Sequence, residues 1–253
     1  MHTYGLSFDT KWITVHDTST DGTAVFNANQ LAKDKFATPF KRPENGQFRP
    51  GTNFGEFVFD ETGDTNLLTQ AGTKYGGFGA IFDLHLSGDT GKLSLVYNSD
   101  AAHSGFDNCA FWDRNRIVFV EDAGDTLHNQ RQAQDSAWLF DLNTDYSNSS
   151  NQPIRVLAQG RDVSATIDSQ LLGSTGFVNE GDNEITGWHL SDGDPTAGGL
   201  LGAKVPEPFE DGWRLFYTQQ HGDNITFEVL SHEHDDNESN GNGSGKDKNK
   251  NKD

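Results

Sequence analysis

Apolar and polar positions alternate over short runs, and clusters of Gly, Asn, Asp and Ser separate them. The runs fall at Trp12–Val15, Phe54–Phe59, Gly79–Leu84, Leu93–Val96, Ile117–Val120, Ala137–Leu142, Ile154–Ala158, Leu215–Thr218 and Ile225–Leu230. Short β-branched and aromatic runs predict strands, and the polar clusters between them predict turns. Residues 79–98 and 136–159 each read as a strand, a polar turn and a second strand, the pattern of a hairpin. Helical spacing is confined to Asn27–Lys35.

The unit of strand, turn, strand, long loop and strand recurs loosely along the chain. This repetition predicts an all-β fold built as a partial β-propeller over residues 1–230. At ~50 residues per blade, the chain supplies about three to four blades. A β-sandwich is the other arrangement that the same periodicity admits. An incomplete ring leaves unpaired sheet edges, so a second chain completing the propeller is an expected partner. Residues 231–253 contain no apolar side chain beyond the body's last strand and end in alternating Lys, Asp and Asn. Such a segment cannot bury surface, and a disordered tail is expected.

Composition narrows the function classes. Asp and Glu number 38 against 19 Lys and Arg, a formal net charge of −19. That charge repels phosphate backbones and anionic membranes, so neither nucleic acid nor a membrane surface is an expected partner. No run approaches the ~18 apolar residues of a membrane span. The opening Met1–Gly5 has neither a basic nor an apolar leader segment, so no signal peptide is expected there. The single cysteine, Cys109, excludes an internal disulfide framework and a multi-cysteine zinc site. The 18 Phe and 5 Trp still permit a sizeable core. Excess carboxylate on this scale fits a solvated surface or the binding of hard cations such as Ca²⁺.

Four segments hold polar residues that a plain strand protein does not need. Lys41-Arg42-Pro43-Glu44-Asn45 sets a cation and a carboxylate two apart, on one side of an extended segment. Such a pair can hold a phosphate oxygen and a metal respectively, or form a surface ion pair. Asp107 and Asn108 precede the apolar run 117–120, which ends in Glu121-Asp122. The other two segments, Gly181–Gly187 and Phe216–Asn224, put acceptors beside glycines that permit tight loops around an ion. Neither has the spacing of an EF-hand, and the chain has no G-x-S-x-G, P-loop or H-E-x-x-H motif.

Taken in order, Arg42-Pro43-Glu44, Asp107-Asn108, Glu121-Asp122, Glu184-Ile185-Thr186-Gly187 and Gln220-His221-Gly222 resemble the PhoX-type alkaline phosphatases. The resemblance spans residues 36–230 and corresponds to the back half of that family's fold. It implies a β-propeller with a Ca²⁺ and Fe³⁺ cluster in its axial channel, hydrolysing small-molecule phosphate monoesters. Family members are commonly exported by the twin-arginine route. Carried to this chain, the resemblance makes Glu44, Glu121 and Glu184 metal ligands, joined by Asp107 and Asp122. Arg42 becomes the phosphate-binding cation, catalytic together with Glu44, and Asn108 and His221 contact substrate. The family's cysteine ligand and front-half acidic residues have no counterpart ahead of Arg42, and Cys109 is not equated with that cysteine.

This reading expects the three Glu side chains to converge, with Arg42 on the open side. Two other readings compete with it. One is a Ca²⁺-dependent propeller lactonase, which has no need of Arg42. The other is a non-catalytic Ca²⁺-stabilised interaction module.

Overall fold

The computed structural model describes residues 1–64, 66–68, 77–122, 127, 130, 135–158, 184–200, 203–220 and 225–231. The expected tail beyond Ser231 lies outside these residues, as does His221. The described chain is mostly antiparallel β-sheet with a few short helices.

The first sheet has the order β1-β5-β4-β3-β2, formed by β1 (Ser7–Lys11), β2 (Pro43–Phe48), β3 (Glu56–Glu61), β4 (Ala80–Ser87) and β5 (Thr90–Asn98). The second is a meander of β6 (Phe106–Phe111), β7 (Arg116–Glu121), β8 (Ser136–Asp141) and β9 (Ile154–Ala158). The third is the meander β10 (Glu184–Ser191), β11 (Arg214–Gln220) and β12 (Thr226–Val229). Helix α1 (Thr18–Asp21) and helix α2 (Ala28–Asp34) lie between β1 and β2, and α3 (Ala197–Leu200) follows β10. Among the described residues, no helix is long and apolar enough to cross a membrane.

Local signals account for several elements. The helical spacing at 27–35 yields α2, and Asn27 caps it by accepting the Gln30 backbone N–H at 3.0 Å. Both expected hairpins form, as β4–β5 and β8–β9. The run Trp12–Val15 does not form a strand; the strand is the more polar Ser7–Lys11 just before it. The apolar side chains of 12–15 instead line a groove with Phe36, Phe40, Phe57 and Phe59 on the outer face of the first sheet. They lie along a sheet face rather than beside a neighbouring strand, and Trp12 and Ile13 stay exposed there. The strands β2, β6 and β10 lie outside the predicted runs. In β2, PENGQF lacks apolar alternation and starts with proline, which the edge of a sheet accepts because that position need not donate.

Packing stacks the second sheet between the other two. Val58, Ile81 and Tyr97 from the first sheet meet Phe106, Phe111, Ile117, Phe119 and Phe140 from the second. Tyr97 and Phe140 pack edge to face with ring centroids 5.0 Å apart. The opposite face of the second sheet, Ala110, Val118, Val120, Ala137 and Leu139, packs on Ile185, Trp188, Leu190 and Leu215 of the third. Each fully buried Phe or Ile contributes about 1.5–3 kcal/mol of transfer free energy, so these two interfaces carry most of the fold.

Candidate functional site

The sheets touch through their leading strands: β2 packs on β6, and β6 packs on β10. Glu44 is the second residue of β2, Asp107 the second of β6 and Glu184 the first of β10. A β-bulge between Phe106 and Cys109 puts Asp107 and Asn108 outside the regular pairing with β7. Side chains in a bulge are re-aimed, and Asp107 thereby joins acidic groups from β2, β3 and the end of β7.

The electrostatics define that neighbourhood. Burial pushes the Asp107 carboxyl up to about 6, the negative charges of Asp122 and Glu44 add to the rise, and Arg42 opposes it. Burial also holds the Asp60 carboxyl well above its ordinary value; a hydrogen bond from Asn45 opposes this, and Asp107 and Glu44 reinforce it. Asp60 is fully buried, and its Oδ1 accepts the Asn45 backbone N–H at 3.0 Å. Its other oxygen, Oδ2, has no hydrogen-bond partner although it is sealed from solvent. A buried carboxylate oxygen without a partner is costly, and one set among like charges is more so.

Arg42 is the cation at the mouth of this group. Its Nε lies 3.5 Å from Glu44 Oε1, and its side chain is 45% exposed. Its φ of 56° puts a non-glycine residue in the left-handed region. The conformation is anchored because the Arg42 carbonyl accepts the Thr62 backbone N–H at 2.9 Å.

The other predicted residues are placed as follows. Glu121 is directly opposite Phe106 in the ladder and is fully buried. Its Oε1 accepts the Ser104 backbone N–H at 3.2 Å and its Oε2 accepts that of Ser136 at 3.0 Å. It therefore ties the start of β6 to β8 from inside the sheet. The adjacent Asp122 belongs to the acidic group with Asp107. Asn108 Oδ1 accepts the Trp188 backbone N–H at 2.9 Å, linking β6 to β10. Glu184 pairs with Gln220 at the start of the third sheet. Cys109 is buried in the apolar core, and burial, Asp60 and Asp107 all push its thiol up, away from the thiolate form.

Arg42, Glu44, Asp107 and Asp122 are thus brought together. Sequence reasoning missed Asp60. The signal for it is the alternation of EFVFDE in β3: Phe57 and Phe59 pack with the outer-face cluster, so Asp60 shares the other face with core residue Val58. No family model matches the chain, and no curated protein or solved structure matches it.

Proposed function

We propose that this chain is a metal-dependent hydrolase of small phosphate monoesters, with a hard cation drawing in the carboxylates around Asp107, namely Glu44, Asp60 and Asp122, which as they stand are too far apart for any three of them to share an ion. The observation that carries this reading is the buried, partnerless Oδ2 of Asp60, which feels the negative charges of Asp107 and Glu44. Like charges repel one another, and more strongly where water is excluded. A cation bound between them removes that cost.

The donor set tests which ion fits. All four groups offer oxygen, as Ca²⁺ requires; with ~6–8 positions to fill, backbone carbonyls and water complete the shell. An oxygen-coordinated Fe³⁺ suits the same donors, whereas the Cys109 thiol, buried and pushed up, makes a poor thiolate ligand. When bound, the cation supplies charge neutralisation and Lewis acidity toward a phosphoryl oxygen. Arg42 supplies the rest of the recognition. Its half-exposed guanidinium presents paired N–H donors that match phosphate oxygens, and its backbone is held by Thr62. The motif resemblance to PhoX-type phosphatases supports the same assignment of Arg42 and Glu44.

We read the three sheets as consecutive blades of a propeller. What supports this is their strict chain order, the contacts of β2 with β6 and of β6 with β10, and the recurrence of an acidic residue at the start of each leading strand. Glu44, Asp107 and Glu184 then occupy equivalent places at one end of an axial channel.

Hydrolysis of p-nitrophenyl phosphate by chelator-treated protein, with and without added Ca²⁺, tests the function. Turnover that depends on Ca²⁺ and is abolished in Arg42→Glu is the expected result. Turnover of lactones that is indifferent to Arg42→Glu overturns it. A Ca²⁺-raised melting temperature without hydrolysis of any ester identifies the chain as a cation-stabilised module instead.

A further inference from the structure

A second group of ligating side chains lies away from the acidic site, at the far end of β3. Glu56, Asp83 and His85 each offer one ligand atom, and those atoms lie within 4.8 Å of one another. In the antiparallel ladder Glu56 is directly opposite His85, and Asp83 is opposite Val58, two positions along on the same face. Residues two apart on adjacent strands share a face, so the register by itself brings the three together.

The spacing suits a small transition-metal ion. His85 Nε2 lies 3.0 Å from Asp83 Oδ2, and its Nδ1 lies 3.9 Å from Glu56 Oε2. In a tetrahedral site with ~2.1 Å bonds, ligand atoms stand about 3.4 Å apart; one ion takes only one of the two ring nitrogens, and with one ligand atom from each residue the three lie within 4.8 Å of one another, close enough for small side-chain rotations to close on an ion. Glu56 is buried, Asp83 is partly buried, and His85 is exposed, which leaves an entry path and an open fourth position.

Two further observations point to a ligand rather than to a closed ion-pair network. Asp83 Oδ1 is sealed from solvent and has no hydrogen-bond partner, so the group as it stands is unsatisfied. Glu56 is also held in place from behind. Arg49 Nη1 donates to Glu56 Oε1 at 2.5 Å, while its Nε and Nη2 donate to the Arg114 carbonyl at 2.8 Å and to Asn115 Oδ1 at 2.6 Å. The guanidinium thus fixes one carboxylate oxygen and leaves Oε2 facing His85. Outer partners that orient a ligand in this way are a usual part of metal sites.

We propose that Glu56, Asp83 and His85 form a site for a Zn²⁺-type divalent ion, separate from the Arg42 site. The mixture of one imidazole and two carboxylates favours Zn²⁺ over Ca²⁺, which prefers an all-oxygen shell. This inference stands whether or not the phosphatase reading holds.

Titrating chelator-treated full-length protein with Zn²⁺, and with Co²⁺ as a visible-absorbing probe, tests it. Wild type is expected to bind Co²⁺ with the intense absorption of a tetrahedral site. His85→Gln, an exposed change that spares the core, is expected to weaken that binding at least ~10-fold and to lose the band. Asp83→Asn should do the same while the Ca²⁺ response of the protein persists. An identical spectrum and stoichiometry in wild type and His85→Gln, or no Co²⁺ band in wild type, overturns the proposal.

Discussion

Asn108 Oδ1 accepts the backbone N–H of Trp188 at 2.9 Å, across 80 positions of sequence. The bond starts where one partner leaves regular pairing and ends on a residue back in register, Trp188 opposite Tyr217. Asn108 is in the β6 bulge, and Trp188 follows the β10 irregularity between Ile185 and Gly187. It therefore joins the second and third sheets at a point the ladders do not serve. Asn108→Ala leaves the Trp188 amide without this acceptor, and a loss of about 1–3 kcal/mol is expected. Denaturant unfolding of the variant checks the value; an unchanged midpoint would mean the link is dispensable.

Gly79 makes a sharper demand. Its φ is +95°, and a Cβ there would lie 1.9 Å from the Glu61 carbonyl oxygen. The backbone on both sides is committed, since Ser99 N–H donates to the Gly79 carbonyl at 3.1 Å and β4 begins at the next residue. Gly79→Ala must move one strand or the other, and a loss above about 3 kcal/mol is expected. Soluble expression and the thermal midpoint give the readout. A variant as stable as wild type would contradict the close approach.

Arg49 spans the first and second sheets through Glu56, Arg114 and Asn115. Replacing it by Met keeps the aliphatic bulk but strands the buried Glu56 carboxylate. A loss of about 3 kcal/mol is expected at neutral pH, because removing one partner of a buried pair leaves an uncompensated charge. The double variant Arg49→Met with Glu56→Gln should recover much of it. Urea midpoints of the single and double variants check this, and equal values for the two would refute the coupling.

Metal-free protein should lose stability as pH rises from about 4 to about 6. The Asp107 carboxyl has an ordinary value of 3.8 and is pushed up to about 6 in the fold, chiefly by burial. The folded state then holds more protons across that window, and raising the pH withdraws them at its expense. Asp83, also pushed up to about 6, acts in the same direction. Carboxylates held below their ordinary value, such as Asp194 at about 2, act with the opposite sign but at lower pH. Melting temperatures at pH 4.5 and 7 in chelator measure the effect. Asp107→Asn should shrink the difference, and Ca²⁺ should remove most of it by taking the proton's place. A melting temperature that climbs over this interval would contradict the account.

Much of the strand inventory was legible because it rests on local pattern. Ile154–Ala158 is a run of β-branched and aliphatic residues bounded by turn formers, and β9 has those limits. Asn27 at the head of a helical period is a capping signal, and α2 starts at the next residue. The leading strands were harder to see. PENGQF and FDNCAF break the apolar alternation because their early positions carry Glu44, Asp107 and Asn108, polar groups that mask the strand period.

The sequence by itself determined that this protein is a chain of short strands with a large carboxylate excess, and its motif resemblance marked Arg42, Glu44, Asp107, Asn108, Glu121, Asp122, Glu184 and His221 as a candidate site. It expected Glu44, Glu121 and Glu184 to converge, whereas Glu121 is buried against the Ser104 and Ser136 amides and it is Asp60, Asp107 and Asp122 that share a neighbourhood with Glu44. That was settled by the tertiary structure alone, through two features no local pattern encodes. The bulge in β6 re-aims Asp107, while the alternation along β7 keeps Glu121 on the core face with Ile117 and Phe119, opposite Phe106. The register of β3 against β4 sets Glu56 opposite His85, and slipping it by one residue would send His85 and Asp83 to the other face. Side-chain direction alternates with a period of two, so the company each carboxylate keeps depends on pairing between distant segments rather than on its neighbours in sequence.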